Sequence, residues 1–198
     1  MSDPIDDAAR AAMAGEPIVM PTDTVYGIAT RPDDPAATSK LFEAKGRPRD
    51  LEIPVLVAAV RDAQRIAVFD ERAETLVGRF WPGALTIVLP RTEAARDWYL
   101  GGDPATVGVR MPHHPMALAV LARAGPLAVT SANRSGKPTP STCEGLHRVF
   151  GDLVSVYLCE ADPLEGRPST VVDLAHGRPR ILREGGLAAT VLSLLEGA

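Results

Sequence analysis

Short apolar runs alternate with stretches of helical periodicity along the whole chain. Each run is bounded by glycine, proline or a polar segment, a pattern typical of buried strands of about four to eight residues. The 17 glycines and 18 prolines punctuate these segments instead of gathering in a low-complexity tract, which indicates short elements and sharp loops. Strands are predicted at 17–21, 53–60, 84–89, 106–111, 127–130, 154–158, 169–174 and 179–183.

Helical segments stand between most of these strands. Asp34 before Pro35 is typical of an N-cap and a first helical residue, and Gly15 is typical of a helix end. Helices are predicted at 5–14, 35–44, 61–66, 71–79, 115–124, 143–150 and 187–196. Because strands and helices alternate without a linker, the pattern predicts one α/β domain. Its twisted sheet should be mixed parallel and antiparallel and flanked by helices.

The composition fits an ordinary globular protein. Of the 198 residues, 45% are hydrophobic and 23% are charged, enough apolar surface for a real core. A net charge of −4 argues against a protein that coats nucleic acid by overall positive charge. Apolar runs fall short of the roughly 18 residues of a membrane span, and the N-terminal residues lack a signal-peptide core. We therefore expect a cytoplasmic protein without membrane contact.

The chain has two cysteines, Cys143 and Cys159. One disulfide is an option, but two reduced thiols are the expected state of a cytosolic protein. No CxxC or HxxxH pair occurs, so a zinc site is not expected.

Polar loops follow the apolar strands, where open α/β sheets place ligand sites. In the first, 21–27, an extended backbone would point the hydroxyls of Thr22 and Thr24 the same way; a helix cap or Asx-turn is the structural alternative. The second, 45–50, brings Lys45 and Arg47 together around a glycine. Such cations suit a polyphosphate, and a solvated basic helix end is the alternative.

The third loop, 130–139, is rich in hydroxyl and amide groups that suit an anion. It is no Walker A loop, and GxGxxG and GxSxG motifs do not occur, so kinase-type and hydrolase functions lose their usual support. Arg110 and Arg183 each end an apolar strand. Arginines in that position usually meet a carboxylate or phosphate, and a structural salt bridge is the alternative for each.

Six segments in order resemble one family, the YrdC-like threonylcarbamoyl-AMP synthases. The resemblance spans about residues 15–190 and implies the YrdC-like fold in its short form, one domain over 1–198. The segments are PTDTVYGIAT at 21–30, KGRP at 45–48, TVGVRMPHHP at 106–115, TSANRSGKPTPS at 130–141, STVVD at 169–173 and ILREG at 181–185.

The resemblance implies a nucleotidyltransferase. It would make threonylcarbamoyl-AMP and pyrophosphate from L-threonine, bicarbonate or CO2, and ATP, with Mg2+ carried by ATP. The product would serve N6-threonylcarbamoyladenosine (t6A) at position 37 of tRNAs that read ANN codons. The implied partner is a downstream tRNA threonylcarbamoyl-transferase complex, and a weak direct contact with tRNA stays open.

The resemblance also assigns residue roles. Lys45 and Arg47 would bind the ATP phosphates and stabilise the leaving pyrophosphate, as the catalytic pair. L-Threonine would be bound by Thr24, Tyr26, Arg110 and Ser169. Further ATP contacts would come from Thr106, Ser131, Asn133, Thr139 and Arg183. Ser131 and Asn133 would lie near Mg2+, held through ATP and water without a direct protein cage.

One departure and two alternatives accompany this assignment. Leu51 and Glu52 stand where the family often has a polar residue followed by Pro-Leu, which puts an acid near the expected phosphate site. An RNA-binding module is one alternative, with a basic patch of Lys45, Arg47, Arg49, Arg134 and Lys137, although aromatic residues make up only 5%. A paralogue with a different carbamoyl or nucleotidyl transfer is the other.

Overall fold

A computed structural model describes residues 3–164 and 166–196, which form nine strands and seven α-helices. The strands are β1 (Ile18–Met20), β2 (Gly27–Thr30), β3 (Val55–Leu56), β4 (Leu85–Pro90), β5 (Thr106–Arg110), β6 (Leu127–Ser131), β7 (Val156–Tyr157), β8 (Thr170–Asp173) and β9 (Arg180–Arg183). The helices are α1 (Pro4–Met13), α2 (Pro35–Lys45), α3 (Val60–Ile66), α4 (Glu71–Phe80), α5 (Pro115–Ala124), α6 (Cys143–Phe150) and α7 (Ala188–Glu196).

All nine strands join one sheet in the order β7-β1-β2-β6-β3-β5-β4-β8-β9. The parallel pairs are β1 with β7, β3 with β5 and β4 with β8, and the other neighbours are antiparallel. This confirms the predicted α/β class with a mixed sheet flanked by helices. No helix in the described part of the chain has the length and apolar character to cross a membrane.

Both faces of the sheet are covered at β1, β2, β3 and β6, which explains why β1 reads as a continuous apolar run. In β4, β5 and β8 one face packs in the core, and alternate residues such as Thr86, Gly108 and Val171 line an open cleft on the other face. In β1, Ile18 and Met20 pack on the face covered by α1 and α5, whereas Val19 packs on the opposite face. Successive strand side chains point to opposite faces, so an apolar residue is needed at every position. The larger core lies on the Val19 face, where α2, α3, α4, α6 and α7 contribute buried residues.

Two strands differ from the sequence-based prediction. β2 was not predicted, because 27–30 belongs to a segment whose polar residues indicate a loop. Gly27 shows why the sequence signal is weak: an added Cβ would lie 2.7 Å from Cγ1 of Val129, so close strand approach favours glycine over a typical strand residue. The predicted strand 53–60 is reduced to Val55–Leu56, since Pro54 has no N–H to donate and residues 58–60 are only partly buried.

The expectation of two reduced thiols is wrong in this structure. Cys143 and Cys159 form a disulfide with their Cα atoms 5.7 Å apart, a separation usual for such bonds. Cys143 is the first residue of α6, and Cys159 follows β7 by two positions. The sequence argument considered only the cellular compartment and could not place these two positions side by side.

Replacing Cys143 by Ser is expected to lower the free energy of unfolding by about 3 kcal/mol, because the disulfide closes a short loop in the unfolded chain. Urea denaturation without reductant measures the difference. The unsubstituted protein in dithiothreitol should match the variant, and the variant should not respond to dithiothreitol. Equal stability of the two proteins without reductant would contradict a stabilising disulfide.

Replacing Thr30 by Val is expected to raise the free energy of unfolding by about 1 kcal/mol, since a buried hydroxyl without a partner is destabilising. Thr30 is fully buried, and its Oγ1 has no hydrogen-bond partner among the described residues. Thr38→Val is the matched control, because the Thr38 hydroxyl donates to backbone carbonyls of α2 and its removal should not stabilise. The same urea titration tests both, and a destabilised Thr30→Val would refute the prediction.

Candidate functional site

A cleft of about 530 Å³ lies over one face of β4, β5 and β8, where Thr86, Gly108 and Val171 line it, rather than beyond the strand ends as predicted from the sequence. Most of the site residues predicted from the sequence line it, although they come from distant parts of the chain. They are Thr24, Tyr26, Arg47, Thr106, Arg110, Ser131, Ser169 and Arg183. The cleft therefore gathers residues from all six sequence segments, with Arg47 representing KGRP at 45–48.

Four arginines line this cleft: Arg47, Arg110 and Arg183 are predicted site residues, and Arg180 pairs with Asp173. Burial is the main cause that lowers the pKa of Arg47, and the charge of Arg183 lowers it further. Burial also lowers the pKa of Arg110, with Arg183 again acting against the charged form. Arginine stays charged despite such shifts. Asp23 pairs with Arg110, whereas Arg47 and Arg183 have only carbonyl and hydroxyl partners among the described residues and remain available to anionic ligands.

Arg47 is held by the loop that follows it. Its Nε donates to the Leu51 carbonyl at 3.1 Å, and Nη2 donates to the Glu52 carbonyl at 2.8 Å. The Glu52 side chain points elsewhere: it accepts from the N–H of Gly108 and from the Thr106 hydroxyl. Burial raises the pKa of the Glu52 carboxyl. The acid that the sequence analysis placed near the phosphate site thus lies against β5, and its carbonyl positions Arg47.

Ser169 is fixed by Arg183 and by Thr86. Arg183 donates from Nε to the Ser169 carbonyl and from Nη2 to its hydroxyl, both at 2.8 Å. The Thr86 hydroxyl lies 2.9 Å from the Ser169 hydroxyl. Thr86 also lines the cleft, and the sequence analysis missed it. The available signal was a single hydroxyl residue within the apolar run 84–89.

Lys45 lies beneath the third loop rather than at the cleft surface. It is 2% exposed, and its Nζ donates to the carbonyls of Ser131 and Asn133 and to Asn133 Oδ1. Burial, followed by the charge of Arg47, lowers the pKa of Lys45 to about 7, whereas the three oxygen acceptors favour the ammonium form. In the unliganded structure Lys45 therefore holds the loop in place.

Asn133 is engaged within the same loop. Its Oδ1 accepts from the Ser131 hydroxyl at 2.6 Å as well as from Lys45, and its Nδ2 donates to the Arg134 and Lys137 carbonyls. Of the site residues predicted from the sequence, all of which the structure describes, Lys45, Asn133 and Thr139 do not line the cleft. The described residues contain no group of three or more His, Cys, Asp or Glu placed to hold a metal ion.

The opposite wall is built from the first loop. Arg110 donates from Nη1 to Thr24 Oγ1 at 2.9 Å and from Nη2 to Asp23 Oδ1 at 2.6 Å. The Tyr26 hydroxyl accepts from the Glu160 N–H at 2.9 Å, which anchors the chain that follows β7. Gly166 packs on the Thr24 backbone so closely that an added Cβ would lie 1.5 Å from the Thr24 carbonyl oxygen.

Gly166→Ala is expected to lower the free energy of unfolding by about 1–3 kcal/mol, because the methyl group cannot fit without backbone movement. Gly186→Ala is the matched control, since no described atom lies within 4 Å of an added Cβ there and its φ is not positive. Thermal and urea denaturation of both variants provide the comparison. Equal stability of the two variants would show that Gly166 is not tightly packed.

The family model Sua5_yciO_yrdC, described as telomere recombination, matches residues 10–185. A putative threonylcarbamoyl-AMP synthase of Mycobacterium tuberculosis is 43% identical over 183 residues, covering 91% of this chain and 83% of that protein. The threonylcarbamoyl-AMP synthase of Bacillus subtilis is 37% identical over 197 residues, covering 98% of this chain and 56% of that protein.

Solved structures agree with these sequence matches. Sua5 of Pyrococcus abyssi complexed with L-threonine is 37% identical with a TM-score of 0.90, covering 98% of this chain and 57% of that one. YciO of Escherichia coli is 26% identical with a TM-score of 0.84, covering 92% of this chain and 89% of that one.

Proposed function

This chain belongs to the Sua5/YciO/YrdC family, and from that premise we propose that its cleft is the active site of a threonylcarbamoyl-AMP synthase. The reaction joins L-threonine, bicarbonate or CO2, and ATP to give threonylcarbamoyl-AMP and pyrophosphate. The observation that carries the proposal is the convergence of Arg47, Arg110 and Arg183 with Thr24 and Ser169 in one cleft. Every substrate of this reaction except CO2 carries an anionic group that such a cleft attracts.

The amino acid fits the wall formed by the first loop. Arg110 offers a guanidinium to its carboxylate, and Thr24 and Ser169 place hydroxyl groups nearby. Tyr26 shapes this wall while its own hydroxyl is occupied by the Glu160 N–H. The relative that contains bound L-threonine has the same fold, which supports this placement.

ATP fits the rest of the cleft. Arg47 and Arg183 face its phosphates, Ser131 offers a hydroxyl beside them, and Thr106 contacts the nucleoside side. Lys45 and Asn133 support this region by holding the loop that carries Ser131. Asn133 Oδ1 already accepts from an ammonium and a hydroxyl, so Mg2+ would be held by phosphate oxygens and water and would neutralise phosphate charge.

The chemistry needs orientation and charge compensation more than a protein nucleophile. The threonine amine adds to CO2, releasing a proton and forming a carbamate. A carbamate oxygen attacks the α-phosphorus of ATP, and the bond from that phosphorus to the bridging oxygen of the β-phosphate breaks. Pyrophosphate leaves with the bonding electrons, and Arg47 and Arg183 stabilise the charge that develops on it.

The destination of the product follows from its chemistry. A mixed anhydride is an activated acyl donor, and we assign it to the enzymes that place the threonylcarbamoyl group on N6 of adenosine in tRNA. This assignment also places the protein in the cytoplasm, with a downstream tRNA threonylcarbamoyl-transferase complex as its partner.

The structure weakens the argument for an RNA-binding module. That hypothesis needs Lys45, Arg47, Arg49, Arg134 and Lys137 in one surface patch, but Lys45 is 2% exposed and Arg47 faces the cleft. A basic surface must be accessible to bind phosphates along an RNA backbone. Lys45 and Arg47 therefore do not belong to an exposed basic patch: Arg47 lines the cleft, and Lys45 lies beneath the third loop.

The proposed function predicts pyrophosphate release that depends on all three substrates. The purified protein with Mg2+, ATP, bicarbonate and L-threonine should release pyrophosphate and form an adenylate detectable by mass spectrometry. Arg47→Ala should reduce kcat/KM for ATP by about thirtyfold or more, as expected on removal of a charged contact to the ligand.

Arg49→Ala is the matched control, because the Arg49 guanidinium lies over the Phe42 and Tyr99 rings outside the cleft. Its activity should stay close to that of the unsubstituted protein. Absence of threonine-dependent pyrophosphate release from folded protein would overturn the proposed function. An equal effect of the Arg47 and Arg49 substitutions would overturn the role of Arg47.

A further inference from the structure

The hydroxyl hydrogens of Thr22 and Thr24 have defined directions. Thr22 Oγ1 donates to the Val25 carbonyl at 2.6 Å, which uses its single hydrogen. Thr24 Oγ1 lies 2.9 Å from Thr22 Oγ1. Thr22 Oγ1 also accepts the backbone N–H groups of Thr24 at 3.2 Å and of Val25 at 3.3 Å. Because Thr22 has no second hydrogen, a hydrogen bond between the two hydroxyls can only run from Thr24 to Thr22.

Thr24 is therefore left with accepting capacity only. Its hydrogen is directed to Thr22, and one of its two lone pairs accepts from Arg110 Nη1 at 2.9 Å. Within the described part of the chain, one lone pair remains on an oxygen that lines the cleft. A ligand atom that meets Thr24 must be a hydrogen-bond donor.

Arg110 has the opposite polarity, and Asp23 fixes its orientation. Nε donates to the Gly83 carbonyl at 2.9 Å and Nη2 donates to Asp23 Oδ1 at 2.6 Å. Asp23 Oδ1 also accepts the backbone N–H of His113 at 2.9 Å, so it is itself held in place. The side chains are 6% and 15% exposed. Three of the five guanidinium donors thus have partners among the described residues, leaving two for a ligand.

We propose that Thr22 and Asp23 are positioning residues that fix Thr24 as an acceptor and Arg110 as a donor, so that the subsite selects a carboxylate with a hydrogen-bond donor beside it. The inference rests on the proposed function and deepens it. In L-threonine, the neighbouring donor is either the β-hydroxyl or the nitrogen, which keeps an N–H in the carbamate. Thr22 and Asp23 act through Thr24 and Arg110, so substituting them should change selectivity for threonine more than it changes KM for ATP.

The test for Thr22 compares Thr22→Val with Thr22→Ser. Valine keeps the shape but leaves the Thr24 hydrogen free to point into the cleft, so KM for threonine should rise about three- to tenfold. Serine keeps the hydroxyl and should retain near-normal KM. Thr30→Val, a buried threonine of β2 away from the cleft, is the matched control and should leave kinetics unchanged.

Threonine analogues identify the donor. Preference of the unsubstituted protein for threonine over O-methylthreonine assigns the donor to the β-hydroxyl, and preference over N-methylthreonine assigns it to the nitrogen. Thr22→Val should reduce whichever preference is present, and Thr22→Ser should retain it. Unchanged preference in Thr22→Val, or equal loss in both variants, would overturn the role of Thr22.

The test for Asp23 compares Asp23→Ala with Asp23→Asn. Asparagine retains an oxygen that accepts both hydrogen bonds, whereas alanine leaves buried Arg110 unanchored. Asp23→Ala should raise KM for threonine by about thirtyfold or more, leave KM for ATP within about twofold, and reduce the preference for threonine over threonine amide. Asp23→Asn should show a smaller loss. Asp33→Ala, which breaks an exposed pair with Arg31, is the matched control.

A double substitution separates positioning from an independent role. If Asp23 acts through Arg110, the double variant Asp23→Ala, Arg110→Ala should lose little more threonine selectivity than Arg110→Ala alone. Additive losses, or an equal rise in KM for ATP, would overturn the role of Asp23. If Asp23→Ala fails to fold, the threonine-to-amide preference of Asp23→Asn decides: a reduced preference supports the proposal and an unchanged one overturns it.

Calorimetry of threonine binding distinguishes this inference from the proposed function. If the unsubstituted protein binds threonine but releases no pyrophosphate, the proposed function fails, and affinities for threonine and its analogues still test the subsite. If it is active and the variants keep all analogue preferences, only the inference about Thr22 and Asp23 fails.

Discussion

Four cations lie in or beneath one cleft, and backbone carbonyl oxygens hold each of them. Lys45 and Arg110 are buried, Arg47 is half-buried and Arg183 is exposed. Arg47 is held by the carbonyls of residues 51 and 52, and Arg110 by that of Gly83. Arg183 is held by the Ser169 carbonyl, and Lys45 by those of residues 131 and 133. A carbonyl fixes a cation without neutralising it. Lys45, Arg47 and Arg183 are therefore held in place yet retain their attraction for an anionic ligand, whereas Arg110 is also paired with Asp23.

The sheet supplies these carbonyls because its strands are short. The carbonyls that hold the arginines come just before β3, β4 and β8, and those that hold Lys45 lie at and just after the end of β6. A backbone group there has left the ladder and is free to accept from a side chain. Long regular strands would have paired these oxygens with neighbouring strands. The frequent glycine and proline residues therefore serve the site by ending strands at its rim, as Pro54 does for β3.

Much of the fold and cleft could be predicted from local sequence signals. The helix over α2 follows from Asp34 and Pro35, the loop with Arg47 follows that helix, and Arg110 and Ser131 are the last residues of β5 and β6. The remainder depended on contacts between distant residues. Thr86 is a single hydroxyl residue within an apolar strand, and the disulfide depends on α6 meeting Cys159, two residues beyond β7. In the sequence, Lys45 resembles a surface cation. It is buried by a loop that contacts it 86 residues later in the chain, and the residues adjacent to Lys45 carry no signal of that contact.

Charge is not uniform along the cleft, and this limits how an elongated anion can lie in it. Arg47, Arg110 and Arg183 interact with one another, whereas Thr106 contacts the Glu52 carboxylate, and His176 links Asp103 to Asp173 near the same end. Phosphates would meet repulsion beside the Glu52 and Asp103 carboxylates and attraction beside Arg110 and Arg183, while Arg47 lies next to Glu52. Under the proposed function, ATP must therefore direct its phosphates toward the arginines and its nucleoside toward Thr106. The α-phosphorus then lies between the nucleoside and the outer phosphates, and the carbamate of an amino acid held by Arg110 must reach it there.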